Sequence, residues 1–439
     1  MENIAKRARQ ASYKLASAST ETKNKALAEI TKELLERKEE ICRANREDKE
    51  NAEKDKIDAP LQKRLNLEGE KFDTLVSGLR DVEKVADPVG KLTLATKLDD
   101  GLELFRVACP IGVLCIIFES RPEAAVQIAS LAIKSGNALI LKGGKEALHS
   151  NKALVDAFQA ALPRAGLPAD AVQLVSTRED IAGLLKLDKY IDLVIPRGSN
   201  ALVKHIMNNT NIPVMGHADG ICAVYVDKNA DLEKACQVVL DAKTQYTAAC
   251  NTAETLLVHE DVVKSILPKI ANALVSKGVK FFADEISQTV LPPEVTEPAT
   301  EDTYKNEYLD LKMSVKTVSS LEEAVDHINN FGSHHTDCII TEDGAAAEEF
   351  MRGVDSAGVF HNCSTRFADG FRFGFGAEVG ISTNRIHARG PVGLEGLVTY
   401  KYRMHGNGHC VASYGQGKKS YKHESLPVED FDYRAPKLG

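Results

Sequence analysis

The sequence predicts an α/β protein of two or three domains built on parallel sheets. Three observations carry the prediction. From Asp87-Pro88 onward, short apolar runs such as Gly112-Val113-Leu114-Cys115-Ile116-Ile117-Phe118 and Ile191-Asp192-Leu193-Val194-Ile195 alternate with stretches of helical period. Runs that apolar suit strands covered on both faces, and a helix between successive strands returns the chain for parallel pairing. A chain of 439 residues also exceeds the size at which one hydrophobic core stops growing.

The elements follow in order. From about Ile4 to Asp81 apolar residues recur three and four apart among many charges, which predicts helices, with a start at Ser19-Thr20-Glu21. Charge clusters there, such as Arg37-Lys38-Glu39-Glu40, are expected to be solvated faces. Pro122 to Gly136 is a helix with proline in its first turn and glycine past its end. Strand Ala138–Leu141, a helix from Glu146 to Arg164, strand Val172–Val175, a helix from Arg178 to Leu187, strand Ile191–Ile195 and a helix from Ser199 to Met207 complete the first α/β unit.

A second unit begins near Ile221 with Ala223-Val224-Tyr225-Val226, followed by a helix around Leu232–Leu240, strand Thr255–Val258, a helix from Asp261 to Lys277 and strand Val279–Phe282. Leu291 to Glu301, rich in proline, threonine and acid, is expected as an exposed connection. Strand and helix patterns resume at Met313, Leu321, Cys338, Ala345 and Gly358. Residues 362–397 are glycine-rich and carry Arg366, Arg372, Arg385 and Arg389. A polar tail is expected beyond about Tyr402.

Composition excludes several classes. A net charge of -8 leaves no basic excess for general nucleic-acid binding. The nine cysteines form no C-x-x-C pair and cannot all be bridged internally, which fits a reduced cytoplasm. The N-terminus lacks the apolar core of a secretory signal. Val107 to Phe118, the longest near-apolar run, is too short to cross a bilayer as a helix, so no membrane association is expected.

Chemistry concentrates at Thr247-Ala248-Ala249-Cys250-Asn251-Thr252-Ala253-Glu254. Cys250 sits on a connection between a helix and a strand, among residues too small to bury it, where a thiol can be reached and tuned. Phosphate-handling candidates lie where strands end and helices begin, at Leu141-Lys142-Gly143-Gly144-Lys145-Glu146, at Ile195-Pro196-Arg197-Gly198-Ser199-Asn200 and at Phe118-Glu119-Ser120-Arg121-Pro122. No metal site is expected. His334 and His335 are adjacent and cannot face one ion from a regular strand; His405 and His409, with Cys410 beside them, have H-x-x-x-H spacing across a glycine-containing loop and read as loop residues with a weak metal alternative; the remaining histidines are expected to be structural or exposed.

Ordered motifs along nearly the whole chain carry a resemblance. They include Phe118-Glu119-Ser120-Arg121-Pro122, Lys134-Ser135-Gly136-Asn137-Ala138, Leu141-Lys142-Gly143-Gly144-Lys145-Glu146, Ala242-Lys243-Thr244-Gln245, Cys250-Asn251-Thr252-Ala253-Glu254, Ser364-Thr365-Arg366-Phe367 and His387-Ala388-Arg389-Gly390-Pro391. The sequence resembles the gamma-glutamyl phosphate reductases, the glutamate-5-semialdehyde dehydrogenases of proline biosynthesis and a branch of the aldehyde dehydrogenase superfamily. The resemblance implies an NADP-binding domain at 1–220 interrupted by an oligomerisation hairpin near 91–109, a catalytic domain at 221–380, and an oligomerisation segment with a tail at 381–439.

The reaction implied is reduction of L-glutamyl 5-phosphate by NADPH to the semialdehyde with release of phosphate, through a thioester on Cys250. Ser120 falls where related enzymes place an oxyanion-binding asparagine. Lys142, Gly143, Gly144, Lys145, Arg197, Gly198, Ser199 and Glu307 are the implied cofactor contacts, Glu307 as the residue on the nicotinamide ribose. Arg121, Asn251 and Arg366 are the implied substrate contacts. A homo-oligomer is expected, with glutamate 5-kinase as a partner.

Two departures from ordinary aldehyde dehydrogenases bear on the chemistry. Gly216-His217-Ala218-Asp219-Gly220 stands where those enzymes carry the glutamate base of an E-L-G-G-K stretch, and Lys145 stands where NAD-preferring relatives place a glutamate. The rival readings are a CoA-dependent acylating or simple aldehyde dehydrogenase, a cysteine hydrolase pairing Cys250 with a distant histidine, and an inactive relative kept for assembly.

Overall fold

The structure, a computed structural model, describes residues 1–57, 59–175, 179–217, 219–415 and 418–429. The chain divides into two compact units, one of Met1–Gly198, Ile206–Val214 and Gly393–Gly439, the other of Ser199–His205 and Met215–Val392. The expected boundaries at 220 and 380 therefore give way to crossings near 198–215 and at 392. The last segment does not stand as a third body, because it pairs with a strand of the first unit.

That unit opens with α1 (Glu2–Ala16), α2 (Thr20–Glu36), α3 (Lys38–Lys54), α4 (Ala59–Leu65) and α5 (Glu70–Lys84). Buried Ala5, Ala8, Ala11, Ser12 and Leu15 recur three or four apart and give α1 a single inward face. The Ser19 hydroxyl accepts the Thr22 N–H and caps α2, as its place in the sequence predicts. A hairpin of β1 (Leu92–Asp99) and β2 (Leu102–Pro110) leads into β3 (Val113–Phe118), α6 (Pro122–Lys134), β4 (Ala138–Lys142), α7 (Leu148–Ala161), β5 (Val172–Val175), α8 (Glu179–Leu184), β6 (Leu193–Arg197) and α9 (Asn200–Asn208), which the unit boundary crosses. Arg178, the expected start of α8, lies outside the described residues.

The second sheet of this unit is wholly parallel, in the order β5-β4-β3-β6. Sequential strands build outward from β3 on one side, while β6 joins its other edge. The switch in strand order thus falls at the carboxyl ends of β3 and β6, the position at which open α/β sheets bind ligands.

In the other unit the order is β7 (Cys222–Val226), α10 (Leu232–Thr244), β8 (Ala253–His259), α11 (Glu260–Val275), β9 (Lys280–Ala283), α12 (Glu285–Gln288), β10 (Thr296–Pro298), β11 (Lys312–Val318), α13 (Leu321–Phe331), β12 (Thr336–Ile340), α14 (Gly344–Gly353), β13 (Gly358–His361), β14 (Gly380–Ser382) and β15 (Gly390–Val392). Seven strands pair in the order β10-β9-β11-β8-β7-β12-β13, all parallel. Helices α10 and α11 pack on one face through Ala235, Val239, Ile266 and Ile270, and α13 and α14 on the other through Ala324, Ile328 and Phe350. The proline-rich stretch 291–301, expected as a bare connection, supplies β10. Proline is tolerated there because β10 is an edge strand.

The chain ends in the first unit with β16 (Val398–His405) and β17 (Glu424–Ser425), which flank the hairpin in the antiparallel order β16-β2-β1-β17. The polar tail expected from about Tyr402 therefore begins as a strand. Its edge position leaves most side chains exposed, which hides it from a search for buried patterns. The described part of the tail is docked: the Tyr414 hydroxyl meets Asp99 at 2.9 Å and the Leu426 N–H meets the Ala95 carbonyl at 2.9 Å.

Between α10 and β8 runs the connection that carries Cys250, and its two ends are tied by a buried ion pair. Lys243 Nζ lies 2.6 Å from Glu254 Oε2, with both side chains fully buried. Burial pushes the Glu254 carboxyl up to about 7 and the Lys243 ammonium down, while each partner's charge opposes the other's shift. Lys243→Met is expected to lower stability at about pH 8 by about 3–5 kcal/mol, since it strands a buried carboxylate. The loss should shrink towards about pH 5, because a carboxyl whose folded pKa is raised loses stability as pH climbs from its unfolded value through the folded one. Lys243→Met with Glu254→Leu should recover most of it. Denaturant midpoints at the two pH values measure this; equal losses at both would contradict it.

Candidate active site

Each strand of the seven-stranded sheet runs in one direction, so the segments that precede the strands gather on one edge. Cys250 precedes β8, His217 precedes β7, and His335 immediately precedes β12; these are neighbouring strands in the order β8-β7-β12. Register fixes their offsets, Cys222 lying beside Ala253 and Cys338 beside Val224. Three residues separated by 33 and 85 positions in the sequence thereby meet. His335 Nε2 lies 3.2 Å from Cys250 Sγ, and the His217 and His335 rings touch edge to face at 5.0 Å.

Both imidazoles are oriented from behind. His217 Nδ1 lies 3.0 Å from the Ile381 carbonyl, so that nitrogen carries a proton. His335 Nδ1 is held at 3.0 Å by the Thr336 hydroxyl, and the ring is almost completely buried. Cys250 is half-buried. Burial makes other thiols poor nucleophiles, pushing Cys115 up to about 12 and Cys222, Cys338 and Cys363 upward as well.

The backbone around Cys250 is held closely. The Thr252 N–H donates to the Ala249 carbonyl and the Thr252 hydroxyl to the Tyr246 carbonyl. Gly220 packs so tightly on this turn that a Cβ there would lie 2.0 Å from the Cys250 carbonyl oxygen, which excludes any larger residue without displacing the thiol. Asn251 is buried, donates to the Ala368 carbonyl and accepts from Arg366, whose Nε also donates to Gln245 at 2.9 Å. Desolvation and the nearby Arg372 charge lower the Arg366 pKa, while charge on Cys250 pulls it the other way. Arg366 is thus a largely buried cation within electrostatic reach of Cys250.

Glu307 precedes β11, the neighbour of β8 on its other side, and accepts from Asn200 at 2.9 Å. Its pKa is raised by burial, against hydrogen bonds from Asn200 and the Gly220 backbone. Asp219 is tied to Lys204 at 2.7 Å and to Asn200 at 2.7 Å. Ala218 lies outside the described residues.

The remaining expected site residues sit at the carboxyl ends of β3, β4 and β6 in the first unit, except Ser199, which opens the first segment of the second unit. Lys142 ends β4 with its ammonium on the Gly143 carbonyl, Gly143 and Gly144 form the turn, and Lys145 is exposed. A Cβ on Gly144 would collide with the Glu146 carboxylate at 2.0 Å. Glu146 folds back over that turn and accepts both the Ser120 N–H at 2.7 Å and the Ser120 hydroxyl at 2.8 Å. Ser120 is buried with φ 46°, a left-handed conformation that costs a non-glycine residue energy and concentrates at functional sites. Arg121 is exposed at the start of α6, Arg197 ends β6 and Gly198 follows it.

His217, His335, Glu146 and the Lys243–Glu254 pair were not expected as working parts of the site. The available signal was positional, a histidine just before each of two buried strands. Adjacent His334 and His335 do diverge, His334 turning to the Asp355 carbonyl while His335 turns to Cys250.

Comparison with known proteins agrees with the fold. Residues 1–305 match the aldehyde dehydrogenase family, and the chain is a member of that class. It is 53% identical over 426 residues to gamma-glutamyl phosphate reductase from Pelotomaculum thermopropionicum, covering 97% of this chain and 98% of that one. It is 50% identical over 442 residues to the probable gamma-glutamyl phosphate reductase of Schizosaccharomyces pombe, covering 98% of each. The crystal structure of gamma-glutamyl phosphate reductase from Thermotoga maritima, 41% identical, matches with a TM-score of 0.90 over 93% of this chain and 99% of that one. Within the aldehyde dehydrogenases, the chain belongs to the gamma-glutamyl phosphate reductase family.

Proposed function

We propose that the protein reduces L-glutamyl 5-phosphate to L-glutamate 5-semialdehyde and phosphate, using NADPH, through a thioester on Cys250. The observation that carries the reading is the half-buried Cys250 thiol 3.2 Å from His335 Nε2 in a chain of this family.

His335 takes the thiol proton, and the Cys250 thiolate attacks the acyl carbon. The new C–S bond forms as the acyl C–O bond breaks and phosphate leaves with its electron pair. The Cys250 backbone N–H is the proposed donor to the transient oxyanion. For Ser120 to act as a second donor, its hydroxyl has to leave Glu146. When bound, the dinucleotide supplies the hydride that reduces the thioester. Cys250 then departs as thiolate, the aldehyde is released, and His335 returns the proton to sulfur.

Water must not compete for the thioester. The acid in the 216–220 segment, Asp219, is tied to Lys204 and Asn200 rather than replacing the missing glutamate base. Arg366 and Asn251 are the proposed anion contacts beside the nucleophile, with Arg121 as a further candidate from the first unit.

The cofactor assignment rests on donor chemistry. Lys142, Lys145 and Arg197 bring three cationic side chains to the carboxyl ends of β4 and β6, the two parallel strands that flank β3, beside the Gly143-Gly144 turn and Gly198, a set suited to a dinucleotide's phosphates. Ser199 follows as a further donor, and Glu307 is the proposed ribose contact. Exposed Lys145 is the residue proposed to select a 2′-phosphate.

A coupled kinase assay following NADPH consumption tests the reaction. Cys250→Ser should lower kcat/KM by at least about 1,000-fold while leaving NADPH binding by fluorescence titration nearly intact; turnover within about tenfold of wild type would contradict the assignment. In the same assay Arg366→Ala should raise KM for the acyl phosphate, and an unchanged KM would remove it as an anion contact. Lys145→Glu should weaken NADPH more than NADH, and equal loss of both would end the argument for cofactor choice.

A further inference from the structure

We propose that His217, Cys250 and His335 form a binding site for a borderline-soft divalent cation of the zinc type, and that occupation closes the nucleophile. One ligand atom from each residue lies within 4.8 Å of the other two, and among the described residues no other group of three histidine, cysteine or acidic side chains converges in this way. One thiolate and two imidazoles are the ligand types zinc prefers. Three protein ligands leave a fourth position for water or a substrate oxygen.

The surroundings point the same way. Metal-binding histidines typically donate their second ring nitrogen to an oxygen, which fixes the tautomer and aims the ligating nitrogen. His217 does this through Nδ1 to the Ile381 carbonyl, which assigns the ligand role to Nε2. His335 has Nδ1 on the Thr336 hydroxyl and Nε2 aimed at the sulfur from an almost fully buried position. The ligand atoms thus already face one another within 4.8 Å.

Charge around the site is mixed. Glu307 interacts electrostatically with His217 and favours a cation, whereas Arg366 interacts with Cys250 and opposes one. The balance implies a reversible regulatory or inhibitory site, weaker than a closed structural zinc centre. Magnesium, a hard cation that prefers oxygen ligands, should not compete. The blocking effect rests on Cys250 being the nucleophile, but binding does not.

Metal-free full-length protein titrated with Co2+ as a spectroscopic probe, then with Zn2+, tests the site. One ion per chain is expected, with a thiolate-to-cobalt charge-transfer band that Cys250→Ser removes. His217→Ala and His335→Ala should each weaken binding by at least about tenfold. Zn2+ should protect Cys250 from iodoacetamide, and Mg2+ should not. Binding unchanged in His217→Ala, or equal protection by Mg2+, would overturn the proposal. If His335→Ala folds poorly, the His217 variant alone decides. Because the band and the protection are read without turnover, an active Cys250→Ser enzyme would sink the catalytic assignment while leaving this result standing.

Discussion

The common direction of seven neighbouring strands is the constraint on which the rest of the second unit depends. A parallel sheet places every strand's amino end on the same edge, so residues before β7, β8, β11 and β12 are brought together although the sequence separates them widely. Register does the finer positioning. A shift of one residue would reverse which side chains face each layer and carry His335 away from Cys250. The buried Lys243–Glu254 pair fixes both ends of the Cys250 turn, and Gly220 lets the neighbouring backbone close against it.

A thiol that is to react belongs on a turn rather than in the core. Sulfur packed in apolar surroundings resists ionisation, as the raised pKa values of Cys115, Cys222 and Cys338 illustrate. Cys250 is placed at the sheet edge, half-buried, with an oriented imidazole in contact. A Cys–His pair by itself would also serve a hydrolase, but the chain belongs to a reductase family within the aldehyde dehydrogenases.

Much of this was legible in the sequence because it is local. Strand and helix periods located β3, β4, β7, β8 and their crossovers, Ser19 and Pro122 marked helix starts, and small neighbours marked Cys250. Edge strands β10 and β16 escaped notice because exposure dilutes their apolar pattern, and β10 contains proline as well. His217 and His335 escaped for a different reason. Their role arises only when strands far apart in sequence become neighbours, and a histidine's place before a buried strand does not record which strands will meet. Glu146 illustrates the same limit: its carboxylate crosses a glycine turn to hold Ser120, a contact that only the folded β3–β4 edge defines.

The central claim is that carbon is transferred to one sulfur before hydride arrives. The direct measurement is mass spectrometry of the protein quenched with kinase-generated L-glutamyl 5-phosphate in the absence of dinucleotide. The account predicts that the peptide bearing Cys250 gains one glutamyl group, with phosphate released in equal amount. Phosphate release with no adduct on that peptide, or an adduct on another cysteine, would contradict it.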